Sequence, residues 1–398
     1  MKSTKETLLI SGLIVIIIFL TSSCGSNSGK QSSESTSEGI EVISIADIKV
    51  SKLSDVIDNI SYTALKDHPE HRAYRIDKVL IEDGLIYIFD YYSGRSLSVY
   101  DLKGNFQFAI TKPGQGPNQY LSIQDFLVDK SKVEVLDARG KLVFYDNQGI
   151  FERSEKLPFS AQAFLKRGND YQFQTGKIPN ELGRNGKSCE VVQYNLETKK
   201  SDCLLEIHNG KDPHSFRERN ILKNTASKTY YGTYFNDTIY EKQDNSFVPE
   251  VILDFSPDAL PPEMFEHNSP YDDYIGYLNK NKDKAYHTPS LQGNANFLIT
   301  QFSKSNSHHL IYDIKNGSKI VLKTTAKNDV DGGLPLYWAH TINDRDIIMI
   351  FDSENVLAKA YKLQQEKSKF NQKEQAFLNF TNAFNPEDPL VMISYHLK

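Results

Sequence analysis

Short apolar runs separated by turn residues recur along most of the chain. Leu85-Ile86-Tyr87-Ile88-Phe89-Asp90 is followed by Leu97-Ser98-Val99-Tyr100-Asp101 and Gly104-Asn105-Phe106. The succession returns as Val133-Glu134-Val135-Leu136-Asp137, Leu142-Val143-Phe144-Tyr145-Asp146 and Gly149-Ile150-Phe151. The runs are rich in β-branched and aromatic residues and end in Asp-Gly, Lys-Gly and Asn-Gly type turns, which marks antiparallel strands. The repeat spans roughly 45 residues and carries four strands, the size of one β-propeller blade.

Weaker copies follow: Ala161 to Ile207, Asn220 to Phe255 and Tyr286 to Leu322. A sixth shows two strands, Tyr337 to Ile342 and Ile347 to Phe351, before the period turns helical. Val356, Ala360 and Leu363 fall on one helix face after a Ser353 cap, and Phe370, Phe377 and Phe384 lie one heptad apart before Pro386 and Pro389. Leu390 to Leu397 supplies a third strand, and Ile60 to Leu65 can supply the fourth. The expected fold is all-β: a six-bladed propeller over residues 40–398, closed by its N- and C-terminal strands, with a helical insertion in the last blade. Closure removes the open edges that invite aggregation.

The N-terminus follows another pattern. Lys2 and Lys5 precede an apolar run from Leu8 to Leu20, too short to span a bilayer, which ends in Leu20-Thr21-Ser22-Ser23-Cys24. This resembles a bacterial lipobox, with Thr21 in the place that usually holds Leu. The resemblance implies a signal peptide over residues 1–23 and a lipid on Cys24. Residues 24–39, mostly Ser, Gly, Glu, Lys and Asn, read as a flexible spacer. The address is therefore the cell envelope, as an outer-membrane lipoprotein. Gly25 to Gly29 carry no acidic residue, whereas in related lipoproteins an acidic cluster there accompanies surface export, so a periplasm-facing anchor is expected.

Beyond residue 40 the chain resembles the six-bladed β-propeller lipoproteins of Gram-negative bacteria, a family with NHL-like blades and mostly unknown function. The Asp-ended second strands, the loop Gly114-Gln115-Gly116-Pro117-Asn118-Gln119-Tyr120 and the closing Pro389-Leu390-Val391 carry the likeness. The family loop reads Gly-x-Gly-Pro-Gly-Glu-Tyr, and here Asn118 and Gln119 replace its Gly and Glu. That loop lacks a P-loop ending and leads from strand to strand, so it reads as an inter-blade turn with Tyr120 packing below rather than as a phosphate site.

A net charge of −5 gives no basic footprint, and no nucleic-acid partner is expected. Besides Cys24 the chain holds Cys189 and Cys203. A turn at Glu197-Thr198-Lys199-Lys200 would put them out of register on opposite faces, so two free, buried thiols are expected. Asp90, Asp137 and Asp352 recur at equivalent strand ends, where a carboxylate commonly accepts hydrogen bonds from the turn that follows. His308 and His309 alternate to opposite faces, a poor geometry for one metal. No cofactor or metal motif is evident.

Connections differ in length between the two ends of the barrel of blades. Tight turns are expected at Glu82–Gly84, Asp101–Asn105, Asp146–Gly149, Gly168–Asn169 and Asn343–Arg345. Long ones are expected at Gly176–Ser188, His208–Arg219, Ser256–Ala285, Thr324–Leu336 and Ser353–Pro389. Binding groups concentrate on long loops carried by a rigid scaffold. Tyr91, Tyr92, Arg95, Arg139, Arg184 and Trp338 belong to that end, and such rings and guanidinium groups suit stacking on sugars and forked bonds to carboxylates. Aromatics make up 11% of the chain, so chance alone would place several there.

Three functions follow from this reading. The first is a non-catalytic binding or scaffold module for a glycan, peptide or envelope protein. The second is an NHL-type metal-dependent lyase or hydrolase whose ligands, for example His287 and His340, converge at the channel mouth. The third is a structural partner in an outer-membrane transport complex. Fold cannot choose among them.

Overall fold

Strands that are apolar on both faces need cover on both sides, and six sheets provide it for one another. The computed structural model describes residues 40–66, 68, 71, 75–92, 95–176, 180–206, 221–225, 227–261 and 271–398. The expected leader, Cys24 and the spacer lie outside these residues, as do His208–Arg219 and part of Gly176–Ser188. The described chain starts with β1 (Glu41–Ser44), β2 (Val50–Ser51), one helical turn α1 (Leu53–Val56) and β3 (Ile57–Leu65).

Blade one then contains β4 (Lys78–Glu82), β5 (Leu85–Asp90), β6 (Ser96–Asp101) and β7 (Phe106–Ile110). Blade two contains β8 (Ile123–Asp129), β9 (Lys132–Asp137), β10 (Lys141–Tyr145) and β11 (Phe151–Lys156). Blade three contains β12 (Ala163–Arg167), β13 (Asp170–Gln174), β14 (Cys189–Asn195) and β15 (Ser201–Glu206). Blade four contains β16 (Leu222–Asn224), β17 (Thr229–Tyr231), β18 (Thr238–Gln243) and β19 (Ser246–Asp254), and β1 adds to its outer edge in parallel. After α2 (Tyr271–Lys280), blade five is built from the split inner strand β20 (Ala285–His287) and β21 (Gln292–Gly293), then β22 (Phe297–Lys304), β23 (Asn306–Asp313) and β24 (Lys319–Lys323). Its outer edge takes β2, again in parallel.

Blade six has the order β25 (Thr341–Asn343), β26 (Asp346–Asp352), β27 (Leu390–Leu397) and β3. The first long strand of the described chain is therefore the outer strand of the last blade, and the ring closes through the two termini as expected. The sixth inner strand is shorter than its apolar run. Tyr337–His340 is irregular, and only Thr341–Asn343 pairs with β26.

One apolar cluster lies at each contact between blades. In β9, Val133 and Val135 face Tyr87, Phe89 and Val99 of blade one, while Leu136 joins Phe144, Phe164 and Phe173 on the blade-three side. In β26, Ile347 and Met349 face blade five, and Ile348 and Ile350 pack with Ile86 and Ile88 of blade one. Alternate side chains of one strand thus fill two different clusters, which explains the unbroken apolar runs. At about 25 cal/mol per Å² of apolar surface, these six contacts are the main favourable term in assembly.

The insertion forms α3 (Ser353–Glu366) and α4 (Gln372–Asn382). Asp352, not Ser353, is the N-cap of α3 and accepts the Asn355 amide at 3.0 Å. Val356, Ala360 and Leu363 are buried, and Phe377 and Phe380 of α4 lie 5.0 and 5.2 Å from the Tyr62 ring of β3. The insertion thus braces the closing strand.

Two further expectations are corrected. Cys189 and Cys203 form a disulfide, with Cα atoms 5.7 Å apart. The turn lies one residue nearer the N-terminus than expected, pairing Cys203 with Val192, and irregularities on either side of Val191 break the strict alternation that would have kept the sulfurs apart. Two of the three strand-end carboxylates, Asp90 and Asp137, also differ. Asp137 accepts amides from Leu121 and Ser122 at 2.8 and 3.1 Å, and Asp90 accepts the Arg75 amide at 3.2 Å, so both fasten the segment leading into their own blade's inner strand. Asp352 does accept the Asn355 amide of the segment that follows it, and Asp101 and Asp146, at the ends of the third strands, each accept two amides of the turn that follows.

Candidate functional site

The inner strands enclose an axial channel, and its polar side chains are mostly spent on joining blades. Residues of β4, β8, β12, β16, β21 and β25 line a cavity of about 380 Å³. Lys78 of blade one meets Asp125 of blade two at 2.7 Å, and Asp125 also accepts the Phe164 amide of blade three at 2.9 Å. Lys166 of blade three bonds Asp129 at 2.6 Å and Glu134 at 2.8 Å, and Glu134 accepts the Tyr171 hydroxyl at 2.6 Å. These two carboxylates hold the Lys166 ammonium above its ordinary range against the opposing effect of burial.

A second cavity of about 560 Å³ opens beside the channel at the end that carries the long connections, and Asp77 borders both. Its wall comes from the segments leading into β4 and β25 and from the ends of β5 and β26, with Tyr234, Pro289, Ser290 and Gln301 on the side of blades four and five. Arg75 and Trp338 stand at matching positions, each three residues before its inner strand. The Arg75 guanidinium lies over the Tyr92 ring, 4.0 Å from its centroid. Trp338 rests on Phe351 at 5.1 Å and is 37% exposed, while Tyr92 is 48% exposed. Two partly exposed aromatic side chains and a cation therefore border one concave space, held by a rigid sheet at each side.

The six ring and guanidinium residues singled out from sequence separate into two groups. Tyr92 and Trp338 meet at this cavity. Tyr91 turns inward, 4.8 Å from Tyr92 and 6.2 Å from Phe89, and its backbone amide bonds Asp77 at 2.7 Å. The Arg95 carbonyl accepts the Tyr120 hydroxyl at 3.1 Å, with its backbone at φ 45°. Arg139 reaches Gln115 at 3.3 Å in the glycine-rich loop, and Arg184 lies in a short turn whose amide bonds Glu206. None of these four lines the cavity. Tyr120 packs as expected below the glycine-rich loop, buried and bonded to the Ile110 carbonyl at 3.0 Å.

The histidines proposed as metal ligands are engaged elsewhere. His287 bonds the Asn236 carbonyl and the Thr300 hydroxyl, both at 2.8 Å, and burial pushes its imidazole down to about 4. His340 lines the mouth cavity, but its Nδ1 accepts the Ile350 amide at 2.9 Å and its ring also bonds the Ile76 backbone. Burial lowers it to about 3. Each imidazole is a neutral tie between neighbouring segments. Among the described residues, no three His, Cys, Asp or Glu side chains are grouped to hold a metal, and no helix is long and apolar enough to cross a membrane.

The model of one protein family, described as a domain of unknown function (DUF4934), matches residues 40–393. No curated protein matches the chain. The crystal structure of a Bacteroides fragilis protein described as a "putative exported protein" superposes with a TM-score of 0.70 at 16% identity, covering 90% of this chain and 99% of that one. The extracellular domain of a Bacteroides thetaiotaomicron protein described as a "putative one component system" has a TM-score of 0.37 at 12% identity, covering 68% of this chain and 30% of that one. BamB of Moraxella catarrhalis has a TM-score of 0.35 at 12% identity, covering 67% and 68%. At 16% identity the Bacteroides fragilis structure shows likeness of fold alone.

Proposed function

We propose that this chain, which belongs to the DUF4934 family, is a non-catalytic binding module of the cell envelope whose ligand seats in the mouth cavity. The observation that carries this reading is the pairing of Tyr92 and Trp338 around one concave space with Arg75 beside them. Flat apolar faces next to a fork of N–H donors suit a sugar ring or an aromatic or acidic side chain. The ligand classes are accordingly a glycan, a peptide or an exposed segment of an envelope protein.

Trp338 is the only tryptophan of the chain, so its emission reports directly on the mouth. A glycan array and an envelope-extract pull-down supply candidates, and each is titrated against Trp338 fluorescence. A saturable spectral change that disappears in Tyr92→Ala supports the site. A ligand that binds with no change in Trp338 emission and equal affinity for Tyr92→Ala places the function elsewhere.

Export and tethering through Cys24 complete the proposal and rest on the signal pattern ending at that residue. Fatty-acid probe labelling of cells should mark the wild-type chain and not Cys24→Ala. An unlabelled wild type would remove the lipid from the account, and protease shaving of whole cells that digested the domain would place it on the outer surface.

A further inference from the structure

The axial channel holds one cation whose charge is not matched in the way of its neighbours. Lys223 of β16 lines the cavity, and its Nζ donates to the Gln292 side-chain carbonyl at 3.3 Å. The other two lysines on the channel wall are each bonded to a carboxylate, Lys78 to Asp125 and Lys166 to Asp129 and Glu134. Among the described residues Lys223 has no carboxylate within ion-pair distance.

Two carboxylates that line the cavity are bonded to other donors. Asp125 takes the Lys78 ammonium and the Phe126 and Phe164 amides, and Asp77 takes the Tyr91 amide. Asp125 acts on Lys223 only at longer range. A cation withdrawn from bulk water with one neutral partner keeps donor capacity to spare, because an ammonium carries three N–H groups. Burial and the nearby Lys78 charge lower the Lys223 ammonium to about 8, partly opposed by Asp125. A species of opposite charge would relieve that cost.

We propose that Lys223 and Gln292 hold a small oxyanion, of carboxylate or phosphate type, inside the axial channel beneath the mouth cavity. The volume suffices for such an ion together with bridging waters, since one water occupies about 30 Å³ of liquid. The Lys223 ammonium supplies the charge, and the Gln292 amide N–H₂ can turn to the anion as a second donor. The site is distinct from the aromatic mouth because Lys223 and Gln292 line the channel and not the mouth cavity.

The test is 19F NMR of trifluoroacetate titrated into the full chain at fixed ionic strength, with inorganic phosphate as competitor. Wild type should broaden the resonance saturably, and phosphate should reverse it. Lys223→Met should weaken binding about tenfold or more, as expected for a lost charge-assisted hydrogen bond, while Lys223→Arg retains it. Gln292→Leu, which keeps the charge, should weaken it by a smaller factor and serves if the Met variant fails to fold. No saturable broadening in wild type overturns the proposal, as does equal binding by folded Lys223→Met. Loss of binding in Arg75→Gln with none in Lys223→Met would put the anion at the mouth and equally overturn it.

Discussion

Leu65 lies opposite Leu390 in the antiparallel ladder where β3 meets β27, and both side chains are buried against blade one. The ladder runs on through Tyr62 opposite Ile393 and Ile60 opposite Tyr395. A strand from the beginning of the domain is thus held by the last strand of the chain. Removing residues 390–398 should leave β26 and β3 with open edges, and the protein should lose its cooperative thermal transition or aggregate. Ile393→Ala, at a fully buried position, should cost about 2–5 kcal/mol in urea unfolding. A truncated chain that melts like the intact one would refute closure by the termini.

Most of the blade architecture was legible because each strand is buried on both sides, so its apolar run is long enough to stand out in one sequence. The N-terminal strap was not. β1 and β2 are only four and two residues long, and they pair with outer edges in parallel, which no turn signal announces. Arg75 was missed for a related reason: it lies before the first inner strand, outside any repeated motif, and meets Tyr92 only through the antiparallel register of β4 and β5 carried beyond their ends. Tyr91 was overvalued because two adjacent tyrosines at a strand end look alike in sequence, while backbone alternation sends one inward and one outward.

The disulfide between Cys189 and Cys203 ties β14 to β15 across a separation of 14 residues. A loop of that size is associated with about 3 kcal/mol of stabilisation. Cys203→Ser, or reduction of wild type under native conditions, should lower unfolding stability by about 2–4 kcal/mol. Mass analysis of the alkylated, denatured chain checks the bond itself, since wild type without reductant should take up no label at Cys189 or Cys203. Two labelled thiols there would restore the free-cysteine reading.

Three of the four buried imidazoles among the described residues should make the fold sensitive to mild acid. His287 and His309 are pushed down to about 4 and His340 to about 3, in each case mainly by burial, whereas an unfolded histidine titrates near 6.5. Between those values the unfolded chain binds more protons than the folded one, so stability rises with pH there and is fully present above about 6.5. It should decline as pH falls from about 6.5 toward 4, with each site contributing on the order of 3 kcal/mol at the acid end. The urea midpoint measured from pH 7.5 to 4.5 reads this, and His287→Gln should flatten the slope. A midpoint constant from pH 7 to 5 would contradict the buried, neutral assignment.

The mouth cavity separates residues that a long-loop assignment alone treats as equal. Tyr92 is half exposed and makes its main contacts with Arg75 and Tyr91, so Tyr92→Ala should leave the melting temperature nearly unchanged. The same change should weaken a mouth ligand by about 1–4 kcal/mol, the range of central aromatic anchors. Arg75→Ala should do likewise for a ligand that carries an acidic group. Trp338→Ala should weaken binding by a similar amount, but it also removes packing on Tyr337 and Phe351 and should cost some stability. Arg139, bonded to Gln115 in the glycine-rich loop, and Arg184, in its own turn, lie off the cavity, so their alanine variants should bind as wild type does. Leu102, exposed on a tight turn at the opposite end of the propeller, provides the matched control. Isothermal titration of these variants with the same ligand decides the matter. If Arg139→Ala or Leu102→Ala abolished binding while Tyr92→Ala and Trp338→Ala did not, the ligand would seat elsewhere and the aromatic mouth would be only a packed rim.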